Sequence, residues 1–525
     1  MESRNERLKE AAIYLLILAL AAATRIYGIG EWSLVGDEIF TIRHADERWT
    51  GLVGPAHYAP VVLIDYVFGL TKWSLRLPNA ILGVLSVPLF YCLCGRTFGR
   101  VTALAGTALL LVSDWHLLFS QYARYYTGVF LFGAVAYFTY IEALRDDRNS
   151  LLAVSLLSCL LGVLHHPTFL TVPLSCAVAS ALVWAWPGER DMGLSKQIGK
   201  KYFLVCAVAG LIVLPWSLEI VQKWNALHPS AGTGGFRVAG LASSLLDLVN
   251  RAGIVLSVGA FFGFYVLIKR DVRLGALFGV LAGTPVLAYL AASEIAPPFR
   301  PRYIYSFFPL VITFAAVLSS EAIRAFFKYG LAKYAVLVII VVGMLPGFVS
   351  YYTGKQSLDP EDAVTVLEER HDAGDKVLAM PVGVNYKISQ SHPDWDLIER
   401  GDGWRGRVQR AVEEGGQVWI VAPSSSIPGV GQARESWLID HGALVWRRHA
   451  FGYVRAMPGM SIWRLGDKAS GDADSSASVK PPRGAVSAWS SVGGPAISSE
   501  QIPLLQKRHT ASRICCLLVS DTQSL

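Results

Sequence analysis

Apolar runs long enough to cross a bilayer recur along most of the chain, separated by two different kinds of loop. The first run, residues 11–29, follows the basic start MESRNERLKE. As a helix rising 1.5 Å per residue it is about 28 Å long, enough for the hydrocarbon core. It is too long for the apolar part of a signal peptide, and RIYGIG is a poor cleavage site, so it reads as a retained anchor. Further runs lie at residues 75–94, 101–119, 125–144, 151–165, 168–186, 202–220, 254–268, 274–292, 304–320 and 334–351. With the anchor they predict a polytopic α-helical membrane protein of about eleven transmembrane helices. A shorter run, residues 58–70, carries Asp65.

Charge decides where that short run goes. If it lies flat in the interface, RNERLKE, GRTFGR, RDDRNS, GERDMGLSKQIGKK, KRDVR and RAFFKYGLAK all fall on one side. Each is short and basic or mixed, which marks the cytoplasmic side and places the N-terminus there. If it crossed, the later basic loops would all lie outside. The outer face then collects Asp37, Glu38, His57, Asp114, His116, Arg124, His165, His166, Glu219, the long loop 222–251 and EIAPPFRPRY at 294–303. The middles of the spans carry almost no charge and no inverted repeat is visible, which argues against a transporter.

From residue 359 the pattern changes. Helix-like PEDAVTVLEERHD and WRGRVQRAVEEGG alternate with strand-like DKVLAMPV, QVWIVAPS, ALVWRR and MSIWRL, predicting a small α/β domain on the outer side. After residue 467 the chain is rich in Ser, Gly, Ala and Pro and is predicted to be a disordered tail. The expected units are a membrane domain (1–352), an extracytoplasmic α/β domain (353–466) and the tail (467–525).

Composition agrees: 53% of residues are hydrophobic and 17% charged, where soluble domains sit near a quarter charged. The net charge of +7 resolves into the loops above, and no basic cluster interleaved with aromatics suggests nucleic acid. Of the cysteines, Cys92, Cys94, Cys159, Cys176 and Cys206 fall in apolar segments and Cys515 and Cys516 in the tail, which implies no disulfide framework and no zinc site.

The candidate chemistry lies in the outer layer. In GDEIFTIRHAD, Asp37 can cap an amphipathic helix lying on the membrane, with Ile39 and Ile42 on one face. The same acids stand close to His57 and the interfacial run, so a chemical role is open as well. Arg124, in LLFSQYARYYTG, can snorkel to headgroups or bind a phosphate bidentately. Arg300 and Arg302, in PPFRPRYIYSFFPL with Tyr303 and Tyr305, lie on the face where basic residues are disfavoured. Two arginines beside a proline-fixed turn point to a bound anion. His165 and His166, in LHHPTF, read as a polar helix end before proline, or as contacts to a donor or metal. GTGGF at residues 232–236 lacks the lysine of a phosphate-binding P-loop and reads as a loop that could order over a substrate.

Together, GDE (36–38), HYAPV (57–61), LRLPNAILGVLSVPLFY (75–91), FSQYARYY (119–126) and RYIYSFFPL (302–310) resemble the GT-C superfamily of membrane glycosyltransferases that use polyprenyl-phosphate sugars. Within it, the chain is similar to protein O-mannosyltransferases, the lipid A aminoarabinose transferase and rhizobial galacturonosyltransferases. Ala59 and Tyr122 depart from the family pattern, which often has proline and glutamate at those places. The resemblance implies sugar transfer, with inversion, to a hydroxyl of an envelope lipid, glycan or protein outside a bacterial-type cytoplasmic membrane. It implies Asp37 as general base, with Glu38 positioning the acceptor or the loop. Arg124, Arg300, Arg302 and Tyr303 would bind the donor phosphate, and His57, His165, His166 and Gln121 the substrates. No metal is required, although a divalent cation is possible. The rival readings are a flippase or transporter and a membrane phosphotransferase.

Overall fold

The computed structural model describes residues 4–32, 34, 36–46, 54–186, 193–227, 238–295, 301–354, 360–399, 403–424, 432–448 and 459–466. The expected tail, Arg300 and the GTGGF loop lie outside the described residues. The chain opens with α1 (Arg4–Ile26), α2 (Gly36–Asp46) and α3 (Pro55–Phe68). It continues through α4 (Lys72–Phe98), α5 (Arg100–Val112), α6 (Asp114–Ser120), α7 (Tyr126–Asp146) and α8 (Asn149–His165). After a 3-10 turn at Pro167–Leu170 come α9 (Thr171–Ala185), α10 (Lys196–Leu227), α11 (Val238–Ala252), α12 (Ile254–Arg270) and α13 (Val272–Ile295). A second 3-10 turn, Pro301–Phe307, enters α14 (Phe308–Ala325), and α15 (Ala335–Gly354) ends the membrane part.

Fewer spans than the expected eleven are found among the described residues. Among the described residues, six helices are long and apolar enough to cross a membrane: Lys72–Phe98, Tyr126–Asp146, Pro167–Ala185, Val272–Ala292, Pro301–Ala325 and Phe327–Thr353. Two bent pairs raise this to eight if each is one span: α5 with α6, at 64°, and Leu241–Ala252 with α12, at 101°. The excess has local causes. The helix of α1 gives way to turns at Tyr27, shortening its apolar stretch, which also contains Arg25. Helix α8 has only 17 residues. Part of the expected outer loop 222–251 is helical, since α10 reaches Leu227 and α11 begins at Val238. The interfacial expectation for 58–70 agrees with α3, whose 14 residues span about 21 Å, too short to cross.

Small residues let the helices approach closely, as apolar surroundings supply no hydrophobic drive between them. A Cβ on Gly263 of α12 would stand 1.7 Å from the Phe314 carbonyl oxygen of α14, so the two backbones touch there. Gly263→Ala is expected to cost about 1–3 kcal/mol through overpacking, read as a lower unfolding temperature in detergent. Gly283→Ala, in open space, is the control expected to change little.

The α5–α6 bend explains a buried charge. Ser113 caps α6 by accepting from the His116 amide at 3.3 Å, and the end of α5 leaves carbonyls to be satisfied. Arg25, fully buried, reaches across from α1 to Leu110 O at 2.8 Å and Leu111 O at 3.2 Å.

The C-terminal part is one five-stranded mixed sheet in the order β2-β1-β3-β5-β4. Its strands are β1 (Lys376–Ala379), β2 (Asp396–Leu397), β3 (Val418–Ser424), β4 (Ala443–Arg448) and β5 (Gly459–Leu465). β1 pairs in parallel with β2 and β3, and β5 runs antiparallel to β3 and β4. Alternation along the strands builds two cores. Val377, Ala379, Trp419 and Val421 face α16 (Pro360–Glu368) and α17 (Val382–Ser391). Leu378, Val418, Ile420 and Ala422 face α18 (Trp404–Glu413) and α19 (Gln432–His441). Helix α17 lies against α2, and its Tyr386 packs on the cluster of Leu34, Ile39, Val61, Leu70, Leu75 and Ala123.

Candidate active site

The adjacent acids of α2 point to opposite environments. Glu38 is fully buried and holds Arg76 of α4 in a bidentate pair, with Nε and Nη2 each 2.7 Å from a carboxylate oxygen. Its Oε1 also accepts the Ala123 amide at 2.9 Å. The remaining Arg76 nitrogen donates to Ile29 O at 2.9 Å and Trp32 O at 3.0 Å. One ion pair therefore ties together the end of α1, helix α2, helix α4 and the α6–α7 loop. A carboxylate so enclosed has no access to a substrate.

Asp37 lies in the first turn of α2, which begins at Gly36, so it does not cap the helix. It remains about a quarter exposed, and its Oδ2 stands 2.9 Å from Arg302 Nη1 in the Pro301–Phe307 turn. Arg124, in the loop before α7, donates from Nη1 to the Asp37 carbonyl and to Thr41 Oγ1, both at 3.2 Å. Thr41 in turn donates to Ala123 O at 2.8 Å, fixing that loop against α2. The Nε atoms of Arg124 and Arg302 are buried with no hydrogen-bond partner. Two arginines from distant segments thus meet Asp37, Arg302 at its carboxylate and Arg124 at its backbone carbonyl, with donor capacity to spare. Tyr122 stands in the same field: burial, then Asp37 and Glu38, push its phenol well above the usual range, so it remains a hydrogen-bond donor.

Behind the arginines is an aromatic and imidazole layer. Arg124 lies over the Tyr125 ring at 5.2 Å, and Tyr125 stacks on His166 with centroids 3.6 Å apart. His166 is parallel to Tyr303 at 6.3 Å, and Arg302 lies 5.5 Å over Tyr303. His57, from α3, packs edge-on to Tyr125 at 6.2 Å and to His165 at 6.3 Å. The amide of Gly54, just before α3, donates to His165 O at 3.2 Å and joins the two histidine elements. Burial, then His165 and Arg124, hold the His57 imidazole well below the usual range, so it is neutral at pH 7.

Gln121 is placed differently from the expectation. It is fully buried, its amide nitrogen faces Thr24 O, Arg25 O and Tyr27 O at 2.9–3.2 Å, and its oxygen accepts Tyr351 OH at 2.9 Å. It closes the C-terminal end of α1, and its amide hydrogens are taken up by backbone carbonyls. Arg76, Thr41 and Arg25 were missed in the sequence. The signals for Arg76 were a charge at the threshold of an apolar run and its place in the LRLPN block. Among the described residues no group of three or more His, Cys, Asp or Glu is placed to hold a metal ion. His57 and His165 alone do not make such a site.

The sequence profile of the dolichyl-phosphate-mannose-protein mannosyltransferase family matches residues 54–218. That stretch runs from the start of α3 into α10 and contains Arg76, Arg124 and the histidines. No curated protein matches the chain. The fold is similar to ArnT from Cupriavidus metallidurans bound to undecaprenyl phosphate, with TM-score 0.51, 14% identity, 87% of this chain and 99% of that one covered. The apo form of ArnT gives TM-score 0.50, 13% identity, 88% and 100%. The apo oligosaccharyltransferase of Archaeoglobus fulgidus gives TM-score 0.53, 12% identity, 80% and 70%. The chain has the multi-pass membrane fold of the GT-C type, joined to a small α/β domain.

Proposed function

We propose that the protein transfers a sugar from a polyprenyl-phosphate carrier to a hydroxyl of an envelope lipid, glycan or protein, on the outer side of a bacterial-type cytoplasmic membrane. The observation that carries this reading is the convergence of Arg302 and Arg124 on the partly exposed Asp37. The undecaprenyl phosphate bound in the similar ArnT structure supports a lipid phosphate as the carrier.

The steps follow from charge. The acceptor hydroxyl gives its proton to the Asp37 carboxylate as its oxygen bonds to the anomeric carbon. The bond from that carbon to the phosphate oxygen breaks, and its electron pair stays on the phosphate. Attack opposite the leaving group inverts the anomeric centre. The leaving phosphate gains one negative charge as Asp37 loses its own. Protonated Asp37 attracts Arg302 less, so the guanidinium is released toward the phosphate at the moment the phosphate needs it. Glu38 and Arg76 take no part in proton transfer and hold α2 in place.

Titrating the detergent-solubilised protein with undecaprenyl phosphate and reading its unfolding temperature tests the phosphate site. Arg302→Gln and Arg124→Gln are each expected to weaken binding by about 10- to 100-fold, the range of a hydrogen bond to a charged group. The unliganded unfolding temperature separates weak binding from misfolding. Wild-type affinity in both folded variants would remove the arginines from the site.

A further inference from the structure

We propose that Tyr351, at the end of the helix that leads into the α/β domain, is a positioning residue for the phosphate site: its hydroxyl sets Gln121, and through it the turn that carries Arg124. This deepens, and rests on, the reading of Arg124 as a phosphate ligand above.

The chain of contacts is short and buried. Tyr351, near the end of α15, is 1% exposed and donates from its hydroxyl to Gln121 Oε1 at 2.9 Å. Gln121 is itself fully buried, and its amide nitrogen faces the Thr24, Arg25 and Tyr27 carbonyls around the end of α1. Those three acceptors fix which way the amide points, so its oxygen is turned toward α15 and needs a donor there. The Tyr351 hydroxyl is that donor. Without it the buried oxygen loses a partner that water cannot easily replace, which favours a shift of the Gln121 side chain.

Such a shift is passed on over a very short stretch of chain. Around Gln121 the backbone folds tightly: the Tyr122 amide donates to Phe119 O at 3.4 Å, and the Arg124 amide to Tyr122 O at 2.7 Å. A turn this tight moves as a unit, and Gln121 is one of its anchors. Its far end presents Arg124, whose Nη1 reaches the Asp37 carbonyl and Thr41. The Tyr351 ring ties the same region by a second route. It packs edge-on to Trp32 at 5.2 Å, and Arg76 lies 5.3 Å over Trp32 while paired with Glu38. Beyond α15 the α/β domain begins with α16, and its α17 returns to α2, with Tyr386 on the cluster that contains Ile39 and Ala123. The chain is thus anchored beside the Arg124 turn both where it leaves the membrane helices and where it folds back.

The test titrates undecaprenyl phosphate into the detergent-solubilised protein. Tyr351→Phe keeps the ring and removes the hydroxyl, and is expected to weaken binding by about 2- to 10-fold, the net size of one hydrogen bond. In the Arg124→Gln background, where the guanidinium is already gone, adding Tyr351→Phe should weaken binding no further, because both act through one group. Tyr352→Phe is the control. That hydroxyl donates to the Thr24 carbonyl of α1, so its removal should leave the affinity unchanged. Wild-type affinity in folded Tyr351→Phe, an undiminished further loss in the Arg124→Gln background, or an equal loss in Tyr352→Phe overturns the inference and leaves the glycosyltransferase reading intact. Wild-type affinity in Arg124→Gln removes Arg124 from the site, and the inference falls with it. Hydrogen exchange of the wild type gives a readout that needs no variant. Undecaprenyl phosphate should slow the amides of residues 119–124 and 349–352 together. Slowing of the first set alone overturns the inference.

Discussion

Asp37→Asn is expected to lower kcat for sugar transfer by about 10²–10⁴-fold, the usual contribution of a positioned general base. The amide keeps the shape of the carboxylate, so α2 and its neighbours should be undisturbed. It cannot accept the acceptor proton, and it loses the ion pair that Arg302 makes at 2.9 Å. Freed from Asp37, Arg302 should bind the donor phosphate at least as well as in the wild type. The expected signature is therefore a large fall in kcat with the affinity for undecaprenyl phosphate retained or improved. A fall in affinity with kcat preserved would mean that Asp37 organises the phosphate site and leaves the proton to another group.

The neighbouring acid should respond in the opposite way. Arg76→Met leaves Glu38 buried and unpaired among the Ala123 amide and apolar side chains. The expected loss of stability is about 3–5 kcal/mol, seen as a lower unfolding temperature and poor yield in detergent. Glu38→Met with Arg76→Met removes both charges and should recover much of that stability, because a well-packed apolar pair escapes the desolvation cost. The double variant should nevertheless remain a poor enzyme, since nothing then ties α2 to the α6–α7 loop that carries Arg124. An Arg76→Met protein as stable as the wild type would show that the pair is not what holds the loop.

Much of this was legible in the pattern of charges. Arg302 stands out in the sequence because it breaks the rule that the outer face is poor in basic residues, Asp37 and Arg124 stand out as charges at the ends of apolar runs, and the structure brings all three together. The split between the two adjacent acids was not legible. Glu38 finds Arg76 across 38 positions, and before folding Arg76 looks like any arginine at a membrane boundary. Gln121 reads as one more polar residue in a conspicuous motif, yet the carbonyls it satisfies belong to α1, far away in the chain. The span count failed for a different reason. Hydropathy measures apolar length and is blind to a bend such as the 101° between Leu241–Ala252 and α12. Four of the five strands were visible as apolar runs in the α/β domain, but β2 is only two residues long. The mixed order of the sheet depends on crossovers that local pattern does not encode.

The central claim, that sugar leaves and phosphate stays, is best tested with a donor carrying carbon-14 in the sugar and phosphorus-32 in the phosphate. The purified protein would be incubated with this lipid and a membrane extract, and the lipid and acceptor fractions counted. The account predicts carbon-14 in the acceptor fraction, phosphorus-32 retained entirely on the polyprenyl lipid, and neither movement in Asp37→Asn. Phosphorus-32 arriving in the acceptor together with the sugar would contradict it and identify a phosphotransferase instead.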